Sequence, residues 1–384
     1  MSKQKRKTYT YEEHGMNPDL VDLDAKKIIF RLQRNGHEAY VVGGGVRDIL
    51  LNKPPKDFDI ATSATPTEIK RLFNNSRIIG KRFKLVHIYF KNRKIIEVAT
   101  FRQESEEENE KGQDNVYGTL ATDALRRDLT INALFYDPSE EIIYDFVGGY
   151  TDLQKRLIRI VGDATTRYEE DPVRILRTLR HMARSGFKLH ADAKRGIKAT
   201  KDLLVDCPTM RIYEELMKDL SSGYFQEIFS LLRDHKVLKI FIPEITDGLD
   251  NENINRADLM ACIKGIDRAA LEGKLRNTTV PLTVLGLFMI PEFNIGRGLH
   301  HFFKNQSAIQ EFNQDFYTEL HVPKKIKLNI VSVIKMLWVL DKTYATGRKL
   351  RLSHQELLPD LKQVLNIINI NKQKSYLNRL VKFS

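Results

Sequence analysis

The sequence predicts an α+β protein: a small mixed-sheet head followed by an all-helical neck and body. Three observations carry this reading. Residues 41–60, VVGGGVRDILLNKPPKDFDI, read as strand, glycine turn, short helix and second strand. Segments 76–80, 83–90 and 94–101 read as further strands, the last two joined as a hairpin through Lys91-Asn92-Arg93. Beyond about residue 190 the apolar residues recur with helical spacing.

The first of these stretches organises the chain. Tyr40, Val41 and Val42 form an apolar run that stops at Gly43-Gly44-Gly45. Three glycines let a backbone turn sharply and approach a bulky anion at little steric cost. Val46 to Leu51 then forms a helical turn whose N–H groups and dipole favour a phosphate. After the Lys53-Pro54-Pro55-Lys56 corner, Asp57 and Asp59 stand at i and i+2 of a strand and share a face, roughly 6 to 7 Å apart at Cα. Phe58 and Ile60 point the other way, into a core. Two carboxylates on a rigid edge beside a phosphate turn can hold a divalent metal on a nucleoside triphosphate. Asp-x-Asp alone is common on exposed strands, and a lone glycine triplet is usually only a turn. Their order and close spacing give the pair its weight.

Composition sets the frame. The 384 residues suit two or three domains with a substantial core. A net charge of +12 fits a polyanionic partner, RNA or an anionic membrane surface. No apolar run approaches the length of a membrane span, and the basic start MSKQKRK is not followed by an apolar signal region. Two cysteines, Cys207 and Cys262, are too few for a disulfide framework or a zinc site and fit a reducing cytoplasm. No solenoid-type repeat is evident.

Taken in order, residues 1–19 read as a basic disordered tail, 20–150 as the head, 151–225 as a neck and 226–384 as the helical body. An amphipathic helix runs from Asp19 to Arg34 on Leu20, Leu23, Ile28, Ile29 and Leu32. Thr65-Pro66-Thr67-Glu68 is a capping box that starts a helix reaching Phe73. Glu97, charged within an apolar strand, belongs either to a solvated face or to an acidic cluster. Segment 103–115 is acidic and aperiodic and reads as a mobile loop. Arg126-Arg127-Asp128 precedes the core residues Leu129, Ile131 and Leu134, and Tyr144 to Gly149 reads as strand and glycine turn, a hinge out of the head. In RYEEDPVRILRTLRHMARSG, residues 167–186, Ile175, Leu176, Leu179 and Met182 form a buried face, and Arg174, Arg177, Arg180 and Arg184 form a basic stripe. Helices follow at 210–220, 224–233, 258–270, 279–289, 306–320, 325–340 and 357–370, with breaks at Cys207-Pro208, Ile242-Pro243 and Val322-Pro323. Trp338, in an apolar stripe, is core.

GGGVRD followed by DFD, the block RRDLTINA and the Glu170-Asp171-x-x-Arg174 motif together resemble the bacterial class II nucleotidyltransferases of the DNA polymerase β superfamily. That family holds CCA-adding tRNA enzymes and bacterial poly(A) polymerases. The resemblance spans about residues 20–340 and is strongest before 190. It implies a polymerase β-like head in which Asp57 and Asp59 are catalytic and bind Mg²⁺, with Gly44, Arg47 and Arg127 on the nucleotide. It also implies Asp128 as the third functional carboxylate, a place for which the residues alone do not rank Asp128 against Glu97. Glu170, Asp171 and Arg174 then read the base edge: a carboxylate accepts from an exocyclic amine while a guanidinium donates to a ring nitrogen or carbonyl. Arg177 helps hold the triphosphate.

Segment 78–87, IIGKRFKLVH, resembles the basic strand of the poly(A) branch, where CCA-adding relatives usually show a shorter Phe-Gly-Thr pattern. The expectation is template-independent addition of AMP from ATP to an RNA 3′ end with Mg²⁺. Lys81, Arg82, Lys84, Lys324 and Lys325 are candidate RNA contacts, with Lys327, Arg348, Lys349 and Arg351 continuing a basic track. CCA addition is the alternative, and a catalytically idle RNA-binding scaffold a third reading. Relatives in the poly(A) branch often carry a long basic tail; this chain ends at Ser384 without one, which bears on RNA grip and processivity and not on chemistry.

Overall fold

Two compact units make up the chain, 1–167 with 187–196 and 168–186 with 197–384, in a computed structural model that describes residues 6–80, 84–103, 117–290, 322–346 and 354–368. The acidic segment from 104 onward, Lys81, Arg82, the helix expected over 306–320, and Arg348, Lys349 and Arg351 lie outside the described residues.

The first unit is built on one eight-stranded mixed sheet. Its strands are β1 (Lys7–Tyr9), β2 (Ala39–Val42), β3 (Asp59–Thr62), β4 (Ser76–Ile79), β5 (Leu85–Tyr89), β6 (Ile95–Thr100), β7 (Leu134–Asp137) and β8 (Ile142–Asp145), in the order β1-β8-β7-β2-β3-β6-β5-β4. Only β3 and β6 run parallel; their register pairs Asp59 with Glu97. The sheet buries both faces at its centre, so β2 reads AYVV without alternation. Tyr40, Val42, Ala61, Phe101 and Phe135 pack with Leu120 and Ala124 of helix Leu120–Leu125. Helix Leu23–Arg34 covers β2 and β3 with Ala25, Ile28, Ile29 and Leu32. Its start is fixed by Asp22, whose side chain accepts from Asp24 and Ala25 N–H. The capping box at Thr65 and Glu68 forms as the sequence indicates, with proline in the first turn.

Three expectations change here. The tail expected to be disordered over 1–19 is ordered from Lys7: β1 pairs with β8, the Tyr9 and Tyr150 ring centroids lie 4.2 Å apart, and His14 Nε2 meets the Glu141 carbonyl at 2.9 Å. Aromatic residues and the unpaired edge of β8 outweigh the basic composition. The hinge expected at Tyr144 to Gly149 is a tied turn. Asp145 accepts from the N–H groups of Val147, Gly148, Gly149 and Tyr150, and a Cβ on Gly149 would lie 2.1 Å from the Thr130 carbonyl. The unit therefore continues past 150, through helix Gly149–Gln154 and β9 (Leu157–Ile158), which pairs with β10 (Lys188–Leu189).

The second unit is helical throughout its described residues outside the connecting segments. The helix expected to start near Pro172 runs from Arg174 to Ser185, and a separate helix, Ala164–Glu170, ends before Pro172, since the residue before a proline avoids helical backbone. Ile242-Pro243, read as a break, starts a helix over Pro243–Asp250, proline being favoured at the first helical position. Helices Thr209–Leu220, Phe225–Asp234, Arg256–Leu271, Thr279–Phe288, Lys324–Thr346 and Leu358–Ile368 stand within a few residues of the expected spans. Every residue of Thr279–Phe288 is buried, as a predominantly apolar helix requires, and the Thr283 hydroxyl donates to the Thr279 carbonyl. Trp338 is core, with Lys342 Nζ 4.6 Å from its ring centroid.

The basic stripe on Arg174–Ser185 is not solvated along its length. Arg180 is buried and pairs with Glu215 (2.6 Å) and Asp219 of helix Thr209–Leu220. Burial works against the Glu215 charge, but Arg180, Arg177 and Lys218 outweigh it and hold its carboxyl down to about 2. Asp219 is pushed up to about 6, since burial exceeds the pull of Arg180 and Glu215 adds repulsion. Arg180→Ala leaves these carboxylates buried without their shared cation. It should cost about 3 to 5 kcal/mol in urea-unfolding stability, whereas the exposed Arg184→Ala should stay within about 0.5 kcal/mol of wild type. Equal effects would show that the ion cluster is not what holds these helices.

Candidate active site

Helix Gly44–Leu50 follows β2 through Gly43, whose φ of 72° and ψ of −137° suit glycine alone. A Cβ at Gly43 would lie 3.7 Å from both Arg127 Nη1 and Asp59 Oδ2. The bare glycine therefore marks where a guanidinium and a carboxylate converge. Asp57 is not on the strand as expected. β3 begins at Asp59, which pairs with Val42, the last residue of β2 before the chain leaves the sheet at Gly43, so β2 has nothing left to pair with Asp57. Asp57 instead lies in the preceding loop, its carbonyl 3.6 Å from where a Cβ on Gly45 would stand.

Charge gathers on Asp59. The residue keeps an accessible edge, yet its carboxyl is raised above the ordinary carboxylate value. Desolvation by the surrounding protein is the largest cause; Glu97 raises it further, Arg127 pulls it down and Asp57 raises it again. Glu97 is therefore part of an acidic cluster rather than a merely solvated face. Asp128 is half-buried in the turn after Arg127, its carbonyl accepting from Val161 N–H. The geometry thus sets Glu97 beside Asp59 by register and by charge.

Arg127 is aimed by a residue the sequence reading passed over. Asp123, almost fully buried, takes Arg126 at 2.6 Å and Arg127 at 2.9 Å, three and four residues on. Burial would raise the Asp123 carboxyl, but the two arginines bring it below the ordinary value. The signal was the i, i+3, i+4 spacing in TDALRR. Arg127 also lies over the Phe135 ring at 5.0 Å. Arg47, expected at the nucleotide, turns inward: Nη1 donates to Asn132 Oδ1 at 2.7 Å, and Nε and Nη2 donate to Asp48 Oδ1. Gly44 makes room for it, since a Cβ there would lie 3.3 Å from Arg47 Nη2. Arg47 thus braces the glycine helix against the segment that follows Arg127.

The motif Glu170, Asp171, Arg174 and Arg177 belongs to the second unit. Arg174 Nη1 donates to Glu170 at 3.0 Å and Arg177 Nε to Glu215 at 3.1 Å. Arg211 Nη2 donates to Asp171 Oδ2 at 2.8 Å, while Asp171 Oδ1 is a buried acceptor with no hydrogen-bond partner. Arg211 and Glu215, both in RIYEEL, went unread because their partners lie about forty residues upstream. Lys84, Lys324 and Lys325 are exposed.

Among the described residues no three His, Cys, Asp or Glu side chains close a metal cage by themselves. Asp57 and Asp59 supply carboxylate oxygens of the kind a divalent cation takes, and the ionised form of Asp59 is disfavoured first by desolvation and then by Glu97.

The poly A polymerase head domain family matches residues 39–159, and the family described as the probable RNA and SrmB-binding site of polymerase A matches 186–249. Poly(A) polymerase I of Escherichia coli O157:H7 is 41% identical over 247 residues, covering 61% of this chain and 53% of that protein. The CCA-adding enzyme of Bacillus pumilus (strain SAFR-032) is 38% identical over 212 residues, 55% of this chain and 52% of that one. The chain spans about half the length of the curated relatives it matches. Among solved structures, the Bacillus stearothermophilus CCA-adding enzyme in complex with CTP superposes with a TM-score of 0.67 at 23% identity, covering 93% of this chain and 82% of that one. A tRNA nucleotidyltransferase complexed with a primer tRNA and an incoming ATP analog gives 0.61 at 26% identity, covering 94% and 99%. The sheet is the nucleotidyltransferase fold, and over residues 39–159 its sequence matches the poly A polymerase head domain family.

Proposed function

We propose that this chain is a template-independent poly(A) polymerase, which adds AMP from ATP to RNA 3′ ends in the cytoplasm as a step of mRNA processing. The observation that carries the reading is the convergence of Asp59 and Arg127 on Gly43, with Asp57 and Glu97 adding negative charge. A triphosphate needs cationic support, and a cation needs carboxylates; a guanidinium and a carboxylate both stand beside a glycine that leaves room for a phosphate. Higher identity to poly(A) polymerases than to CCA-adding enzymes, 41% against 38%, supports the choice of branch.

Asp57 and Asp59 would hold a divalent cation of the Mg²⁺ type, which would neutralise triphosphate charge and favour ionisation of the RNA 3′-hydroxyl. Arg127, kept in place by Asp123, would meet the phosphates, and Asp128 would accompany it at the nucleotide. Glu97 completes the negative field around Asp59. Asp171, one oxygen of which Arg211 holds, would accept from an exocyclic amine, and Arg174 would donate to the ring. The 3′-oxygen attacks the α-phosphorus, and the bond to pyrophosphate breaks. Exposed Lys84, Lys324 and Lys325, within a chain of net charge +12, would hold RNA through its phosphates. CCA addition is the second reading, favoured by the likeness to CCA-adding structures over most of the chain.

Asp59→Asn should lower turnover by about a thousandfold or more, roughly 4 kcal/mol of transition-state stabilisation. Its thermal midpoint should not fall and should rise slightly. A carboxyl raised in the folded state weakens the fold once ionised, so removing its charge relieves that repulsion. Turnover within about tenfold of wild type would take Asp59 out of the mechanism. To separate the branches, the protein is incubated with an unstructured RNA and with tRNA lacking its CCA, supplied with ATP, CTP or both. Long heterogeneous tails on the unstructured RNA with ATP alone are expected. Extension of tRNA only, by a complete CCA and only with both triphosphates, would assign the CCA branch.

A further inference from the structure

The strand registers place a single row of polar side chains across one face of the sheet. Arg77 of β4 stands opposite His87 of β5, His87 opposite Glu97 of β6, and Glu97 beside Asp59 of β3. Directly paired residues project to the same side, so the row is a physical sequence of neighbours and not only a pattern in the pairing. Its links differ in kind. His87 Nε2 meets Glu97 Oε1 at 3.2 Å, and the Glu97 charge acts on the Asp59 carboxyl. An ionised carboxylate only accepts, so the Nε2 nitrogen carries the proton that makes this bond.

The two partners are unequally held. The His87 side chain is 21% exposed and the Glu97 side chain 52%. His87 also makes an edge-on contact with the Tyr89 ring at 6.2 Å. Glu97 by itself is a long side chain on an open part of the sheet, free to sweep through several rotamers. The imidazole is short, stiff and partly enclosed. It is the member of the pair able to impose an orientation on the other.

We propose that His87 is a positioning residue of the active site: its hydrogen bond to Glu97, made from the strand on the far side of β6 from Asp59, holds that carboxylate in one orientation and so fixes the negative field in which the Asp57 and Asp59 pair would take its cation. The inference rests on the nucleotidyl-transfer reading above and adds to it a residue that touches neither nucleotide nor cation. It also gives a physical role to the histidine at the end of the IIGKRFKLVH segment, the central residue of β5. There the residue serves geometry at the reacting end and not the grip on RNA.

The test uses the full chain with ATP, Mg²⁺ and an unstructured RNA. His87→Ala should lower kcat by about 10- to 100-fold, as loss of an outer partner of a metal-site carboxylate does, with KM for ATP changed by no more than about twofold. His87→Gln should recover most of the loss, because its amide nitrogen can donate to the same oxygen. In a Glu97→Gln background, His87→Ala should add little, since the histidine acts through Glu97. A His87→Ala enzyme with kcat near wild type, a glutamine that rescues nothing, or effects that simply multiply would overturn the proposal. If wild type extends no RNA, the activity reading fails separately, and nitrogen-15 shifts of the His87 ring then decide. They should report protonated Nε2 in wild type and change in Glu97→Ala; a ring unaffected by that substitution would overturn the positioning role.

Discussion

The first unit depends on an imbalance of charge at Asp59. Desolvation by the surrounding protein is the largest cost of ionising Asp59; among the described residues Glu97 and Asp57 add to it and the Arg127 guanidinium offsets it. A fold selected for stability alone would not gather carboxylates at the end of an interior strand without more cations. Repulsion of this kind is useful where a divalent ion arrives with its ligand, because binding then relieves the strain. The sheet makes the arrangement rigid. β3 is flanked by β2 and β6, so Asp59 cannot withdraw without breaking pairing on both sides.

Around this centre, buried ion pairs serve orientation. Asp123 binds two adjacent arginines and thereby aims Arg127. Arg47 is drawn away from solvent by Asp48 and Asn132, which stiffens the turn carrying Gly43. In the second unit Arg180 is shared by Glu215 and Asp219, and Arg211 fixes one oxygen of Asp171. Such pairs add little net stability compared with apolar packing, but each member is costly to remove once its partner is buried. They hold functional side chains at one angle where a hydrophobic contact would let them turn.

The amount of this legible in the sequence followed the range of the interaction. The glycine turn, the two aspartates and the capping box at Thr65 are local, and spacing alone exposes them. The hairpin through Lys91-Asn92-Arg93 was also local; its Asn92 adopts a φ of 60°. Glu97 was noticed and left open, because only the parallel pairing of β3 with β6 sets it beside Asp59. Arg47 sits in the same motif as the glycines, and nothing in the motif says that its side chain folds back onto Asn132. The stripe from Arg174 to Arg184 looked uniform, yet Arg180 is buried and Arg184 exposed, a difference set by acids on another helix. Lys7-Thr8-Tyr9 was read as disordered for its charge, although a β-branched and an aromatic residue beside an open strand edge favour pairing.

The central claim is that Asp57 and Asp59 form a cation site completed by the nucleotide. Mn²⁺ offers a direct probe, since its electron paramagnetic signal separates free from bound ion without requiring turnover. With a non-hydrolysable ATP analogue present, wild type should bind Mn²⁺ tightly, and Asp59→Asn should lose that binding while keeping its fold. Mn²⁺ binding of equal strength in both proteins would contradict the account.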